Sequence, residues 1–295
     1  MIRWLALLVG SITLIACSSS DDSYTPGSGL DISSYFDQQS DVITFNDHFE
    51  ATYSNGERAS GDSIKREYYG LVSTIPSKYS YNGAISAPYI LRVDTEDGEI
   101  DGFEYSSMLD EEIIEDDLDT FKRIDARTKT GTDEPENLDA INIGDEFTFE
   151  DDSTLFDSKS AQVVGNEQES GTLTVSAFEP VSVPAGNYNN AVKINFVMNK
   201  TTTLRNITDT SDFQGSGWFD ATTGLMLKLT GTLTLTLNEY GLTASGASER
   251  VLADYQPATT SENKQVERSA ITPIGGVSAT MVKQILAAQQ DIQVK

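Results

Sequence analysis

The chain has 295 residues, enough to bury a sizeable core in one large domain or two smaller ones. It carries 46 acidic against 20 basic residues, for a formal net charge of -26. A surface of that sign repels nucleic-acid phosphates and anionic head groups, so no nucleic acid is expected as a partner. The single Cys (Cys17) and single His (His48) leave no internal disulfide and no Cys/His zinc site to be formed.

In chain order, residues 1–16 read as a signal peptide. Arg3 gives the positive start, and residues 4–15 form an apolar run. That run is too short for a membrane-spanning helix of about 20 residues. It ends in Leu14, Ile15, Ala16 and Cys17. This ending resembles the bacterial lipobox, which implies that Cys17 is acylated and becomes the first residue of the mature protein. Ser18, not Asp, follows the cysteine. By the same resemblance, that implies anchoring in the outer membrane, with the body expected on the periplasmic side. The alternative is an ordinary signal peptide that happens to contain a Cys. Residues 17–38 hold the lipidated Cys and a tether. Its Ser, Asp, Gly and Pro cannot bury enough apolar surface to offset ordering entropy.

Residues 39–135 read as a first β module. Residues 42–45, 49–53, 64–75, 89–93 and 99–105 are strand-like, with turn signals at Asn55-Gly56 and Asp97-Gly98. The second of these hairpins also partly fits a calcium loop. Asp97, Asp101 and Glu104 would be the oxygen ligands, but Val93 and Thr95 stand where the first two ligands belong. A plain acidic hairpin with no metal is the preferred reading. Residues 108–124 are the densest acidic run. Leu109, Ile113, Ile114, Leu118, Phe121 and Ile124 recur mostly at three- and four-residue steps, which predicts an amphipathic helix with a solvated acidic face. Residues 128–137 have linker composition, and the module boundary is placed there.

Residues 136–258 read as a second, antiparallel β module. Strand-like stretches at 143–149, 160–164 and 171–178 lead to a corner at Pro184 to Gly186, and then to a strand at 189–196. The clearest strand is residues 225–237. Leu225, Leu227, Leu229, Leu233, Leu235 and Leu237 alternate there with Met226, Lys228, Thr230, Thr232, Thr234 and Thr236. Period 2 puts leucine on one face and threonine on the other. At about 3.3 Å per residue, such a strand is roughly 43 Å long. Residues 243–255 add another strand. Residues 259–295 read as a loop and a terminal helix, with Ser278 as N-cap and Met281, Val282, Ile285 and Leu286 on one face.

The fold class expected is therefore mainly β: a curved antiparallel sheet or half-open barrel with one or two short helices. Gly144-Asp145 with Phe147, then Val183-Pro184-Ala185-Gly186-Asn187-Tyr188 and Lys193, then Trp218 to Gly224 and Lys228, resemble uncharacterised bacterial extracytoplasmic β-proteins. They loosely resemble carriers of the lipoprotein-localisation-factor kind. That resemblance implies a concave sheet with an apolar cavity. The inward leucine face of residues 225–237 would then line it, with Leu225, Leu227, Leu229, Leu233 and Leu235 as the candidates to face an apolar ligand.

No catalytic motif stands out. Gly215-Ser216-Gly217-Trp218 is not a nucleophile elbow, and His48 is the one imidazole that a triad could use. No phosphate-loop or dinucleotide fingerprint occurs, and no cofactor is expected. The expected function is a lipid-anchored envelope protein, not an enzyme. Its role would be binding or accessory, with the membrane, an apolar ligand or an envelope protein as partner. A structural or adhesion lipoprotein without a ligand cavity is the second reading, and a hydrolase the third.

Overall fold

The computed structural model describes residues 32–37, 40–79, 89–107, 112–125, 130–131, 141–238 and 240–258. These form the strands β1 (Asp41–Tyr53), β2 (Arg58–Val72), β3 (Tyr89–Glu96), β4 (Glu99–Ser107), β5 (Glu112–Asp116), β6 (Thr120–Asp125) and β7 (Thr130–Gly131). They continue as β8 (Glu146–Asp157), β9 (Val163–Val183), β10 (Gly186–Leu204), β11 (Ile207–Asp220), β12 (Met226–Leu237) and β13 (Leu242–Gln256). Every pairing is antiparallel, and apart from the short β7 the order around the sheet follows the order in the chain. The first strand meets the last, from Val42 opposite Gln256 to Tyr53 opposite Ala244. β6 meets β8 through Thr120–Asp157, Phe121–Phe156 and Lys122–Leu155. Twelve strands therefore close into an up-and-down barrel, with β7 paired further along β8. The expectation of a half-open sheet is corrected: both edge strands are paired, β1 to β13 along its length and β6 to β8 over three residue pairs.

Alternation decides which side chains go in. On β12, Leu229, Leu233 and Leu235 are buried, whereas Thr232 and Thr234 are exposed. The register carries the same inward row around the barrel: Leu233 lies beside Phe213, Phe213 beside Met198, and Met198 beside Gly171. Phe45, Phe196, Phe213, Phe219, Met226, Leu173, Val192, Ile194 and Leu252 join it in one apolar core. Gly215 and Gly231 face each other across β11 and β12 in the next inward row, with Phe196 beside Gly215. A Cβ on Gly215 would run into the Thr230 carbonyl oxygen and the Phe196 ring. The glycines thus leave room for aromatic rings to lie over the backbone.

β9 passes through Pro180, which has no N–H for the ladder. The register skips from Val181–Tyr188 to Glu179–Ala191, so Pro180 falls opposite a bulge. Beyond it the β9–β10 tip reaches β13, where Ala185 N donates to the Leu252 carbonyl at 3.4 Å. Val181, Val183, Ala185 and Tyr188 pack against the core there.

The outer face of β2 to β6 is also apolar. Val72, Tyr89, Leu91, Val93, Tyr105, Ile114 and Phe121 form a second buried cluster, with Ile32, Phe36, Ile75 and Tyr79 packed over it. Two short 3-10 turns, Ile32–Tyr35 and Ser77–Tyr79, supply the cover. One buried carboxylate ties this layer down. Asp116 accepts from Lys78 Nζ (2.5 Å), Tyr79 Oη (2.5 Å), Ser158 Oγ (2.8 Å) and Leu118 N (2.8 Å). Burial alone would raise its pKa, but these donors together hold it below the ordinary value.

The expected acidic helix is likewise overturned. Its described part is the β5–β6 hairpin, turned at Leu118 with φ 73°, and Asp117 Oδ1 accepts from the Asp119 and Thr120 amides. Both faces of this hairpin have partners. Ile114 and Phe121 lie under the outer cover, while Glu115 and Lys122 pair on the inward side. The described residues contain no α-helix. The expected terminal helix, the signal peptide, Cys17 and the tether up to residue 31 lie outside them.

Candidate functional site

Three places hold the residues that the sequence singled out. The first is the barrel interior. Leu227, Leu229, Leu233 and Leu235 are buried in the core, and Leu225 is half-buried at its edge. What surrounds them is packed side chain: Phe196 and Phe213 meet at 5.0 Å between ring centroids.

The rest of the interior is ionic, which sequence reasoning missed. The Arg250 guanidinium forks onto Asp47, with Nε at 2.9 and 3.0 Å and Nη2 at 2.5 Å, and its Nη1 lies 3.9 Å from Glu67 Oε1. Tyr69 Oη donates to Glu67 at 2.6 Å. Arg92 bridges Asp94 (3.0 Å) and Glu104 (3.0 Å). A second group joins β5, β6, β9 and β10. Lys122 meets Glu115 (3.1 Å), Glu167 (2.5 Å) and Glu169 (3.6 Å), and Lys200 meets Glu167 (2.7 Å) and Glu169 (3.3 Å). Burial would raise the Glu167 carboxyl, yet the two ammonium groups hold it well below its usual range. Burial raises Glu67 and Glu169, and their cations do not fully offset it. Each cation is shared among carboxylates, an arrangement that fixes side chains and leaves little room for a proton to move. The sequence carried only a weak signal: Glu67 and Lys200 sit two residues from Tyr69 and Met198, which pack with the core. Only the register says that these charges meet.

The second place is the acidic hairpin. Asp97 occupies the β3–β4 turn with φ 48°, and its Oδ1 accepts from Ile64 N at 2.9 Å. Asp101 lies 3.5 Å from Lys65 Nζ, and Glu104 turns inward to Arg92. The three carboxylates are thus taken by three different groups and do not converge. Among the described residues, no group of three or more His, Cys, Asp or Glu is arranged to hold a metal ion.

The third place is a groove of about 720 Å³ on the outer face of β1, β2 and β13. Register builds it in rows. His48 lies between Asp62 and Glu249, Asn46 between Ile64 and Val251, and Arg66 sits opposite Thr44. The β3–β4 turn brings Asp97, and the β9–β10 tip brings Pro184. His48 Nδ1 is 2.7 Å from Asp62 Oδ1, and Nε2 is 3.6 Å from Glu50. The hydrogen bond to Asp62 raises the imidazole pKa, although the site is open to solvent. Glu249 pairs with Lys228 at 2.5 Å. Among the described residues, the Arg66 guanidinium has no carboxylate partner.

No protein-family model matches the chain, and neither does any curated protein. Among solved structures, it is similar to a Parabacteroides distasonis protein provisionally described as a lipoprotein. That likeness has 14% identity and a TM-score of 0.34, over 75% of this chain and 98% of the other. It is also similar to a mutant of the Rh. blastica porin, at 9% identity and a TM-score of 0.27, over 72% of this chain and 99% of the other. Likeness at this level assigns neither family nor function. What the fold itself defines is the class: a closed, up-and-down antiparallel barrel whose described interior is apolar in one part and ionic in the other.

Proposed function

We propose that this is a lipid-anchored bacterial envelope protein whose barrel is a water-soluble, non-catalytic body that works through its outer surface. The observation that carries this reading is the sorting of side chains in and out. Outward rows on β10, β11 and β12 read Lys193, Asn195, Val197, Asn199 and Thr201, then Thr210, Asp212, Gln214 and Ser216, then Lys228, Thr230, Thr232 and Thr234, with Val197 the one exposed apolar side chain among them. A membrane barrel needs an apolar outward band about 25 Å tall, and Lys or Arg near the middle of such a band costs about 2–4 kcal/mol. These rows suit water instead. The apolar outward rows, on β2 to β6, are already covered.

The packed interior also bears on the carrier reading. Phe45, Phe196, Phe213 and Phe219, each buried, pack in one core with the inward leucines. This favours the accessory or structural role over a ligand held inside. Anchoring rests on Cys17 and the residues before it. Acyl chains supply about 0.8 kcal/mol per buried CH₂, so they alone can hold a soluble body on a bilayer. The Cys17→Ser protein is expected in the soluble fraction without detergent, and the parent protein in the membrane pellet. If the variant still pellets after a high-salt wash, the barrel itself holds the membrane and the reading fails.

A further inference from the structure

We propose that the outer groove over β1, β2 and β13 binds a small molecule carrying a single carboxylate on an apolar body, with Arg66 as the carboxylate anchor. This rests on the reading that the outer surface is the working one, but not on the acyl anchor.

Three features support it. The groove, about 720 Å³, falls in the range of small-molecule sites, and its walls include Ile64, Val251 and Pro184. Its acids are already engaged: Asp47 by Arg250, Asp62 by His48, Asp97 by the Ile64 amide, and Glu249 by Lys228. Arg66 is the exception. In a chain with 46 acids and 20 bases, it lines the groove without a carboxylate among the described residues. A guanidinium presents a fork of donors that matches a carboxylate with two parallel hydrogen bonds. The same acids set the charge that can enter. Asp62, Asp97 and Glu249 oppose any anion and a dianion twice as strongly, so one carboxylate paired with Arg66 is favoured over a phosphate dianion or a polyanion. Ile64 and Val251, in register on either side of Asn46, then receive the apolar body.

The test uses the full chain carrying Cys17→Ser, with octanoate and 3-phenylpropionate as probes in titration calorimetry at low salt. The matching amides serve as uncharged controls, and phenyl phosphate as the dianion. The acids are expected to bind at least tenfold more tightly than the amides or the phosphate. Arg66→Gln should weaken the acids at least tenfold and leave the amides unchanged. Among the described residues the Arg66 side chain makes no hydrogen bond or ion pair, and Gln keeps part of its stem, so the melting temperature of the variant should hold. Val251→Asp, on the other wall, should weaken the acids independently. No detectable binding of the acids, equal binding of acid and amide, or acid binding that survives both variants would each overturn the proposal. Because these readouts do not involve membranes, a negative result leaves the anchoring test standing.

Discussion

At the scale of the residue, two buried glutamates on the inward face show how surroundings set the worth of a charge. Glu167 sits between two ammonium groups, at 2.5 Å from Lys122 and 2.7 Å from Lys200. Burial works against its ionised form, but these cations win and its folded pKa lies below the ordinary 4.5. Such a group stabilises the fold above the unfolded pKa, and that stability is lost as pH falls from there through the folded value. Glu67 is the opposite case. Burial is the larger influence, Arg250 stands off at 3.9 Å, and the folded pKa lies above 4.5. Its ionisation therefore costs stability as pH rises from 4.5 through the folded value. Breaking a buried pair from one side typically costs about 3–5 kcal/mol. Glu167→Gln should lose about that much at pH 7, with the loss shrinking as pH drops below 4.5. Glu67→Gln should lose at least about 2 kcal/mol less, since Arg250 keeps Asp47 and Arg92 keeps Asp94 and Glu104. Denaturant titrations of both variants at pH 7 and pH 4 check this. Equal losses at pH 7 would mean that the two carboxylates are held alike.

At the scale of the element, β12 was legible because leucine dominates one face and threonine the other, and no other period accommodates that alternation. The Asn55-Gly56 and Asp97-Gly98 signals gave the β1–β2 and β3–β4 hairpins for a similar reason, since Gly56 and Gly98 both take positive φ. The β5–β6 hairpin was not legible. Ile113 and Ile114 are adjacent, which fits a helical stripe as well as a strand buried on both sides, and the outer cover that buries Ile114 comes from residues far upstream. The groove was illegible for the same reason: Glu249 and Val251 reach His48 and Asn46 only through pairing across about two hundred residues. Register decides which threonine makes a fair outward control on β12. Thr234 faces Asp212, so a new Asp there meets a like charge, whereas Thr232 faces Gln214 and Ala247. Leu233→Asp drives a carboxylate into a site that is 3% exposed and should cost several kcal/mol. Thr232→Asp should stay within about 0.5 kcal/mol of the parent. Chemical denaturation compares them, and comparable losses would contradict the assignment of faces.

At the scale of the whole molecule, the barrel closes twice and the two closures are unequal. β1 and β13 pair along their length, from Val42 to Tyr53. β6 and β8 share three residue pairs. Side chains reinforce that short seam. Phe121 and Phe156 stack at 5.0 Å, Lys122 reaches past β8 to Glu167 at 2.5 Å, and Ser158 donates to Asp116 at 2.8 Å. Few ladder bonds and dependence on a handful of side chains are the conditions for local opening below the global unfolding free energy. The long strands β9 to β13 lack that weakness, since each pairs with both neighbours over ten or more positions. Hydrogen exchange under native conditions should therefore find the amides of residues 120–122 and 155–157 opening before those of β10 and β11. Phe156→Ala removes the stacked ring without touching the ladder, and truncating a buried Phe costs about 3–5 kcal/mol at most, less for a ring that is half-buried as here. The variant should speed exchange at β5, β6 and β8 by an order of magnitude or more while β10 to β12 keep their protection. Faster exchange spread evenly around the barrel would instead mean that the twelve strands open as one unit and that the seam has no independent freedom.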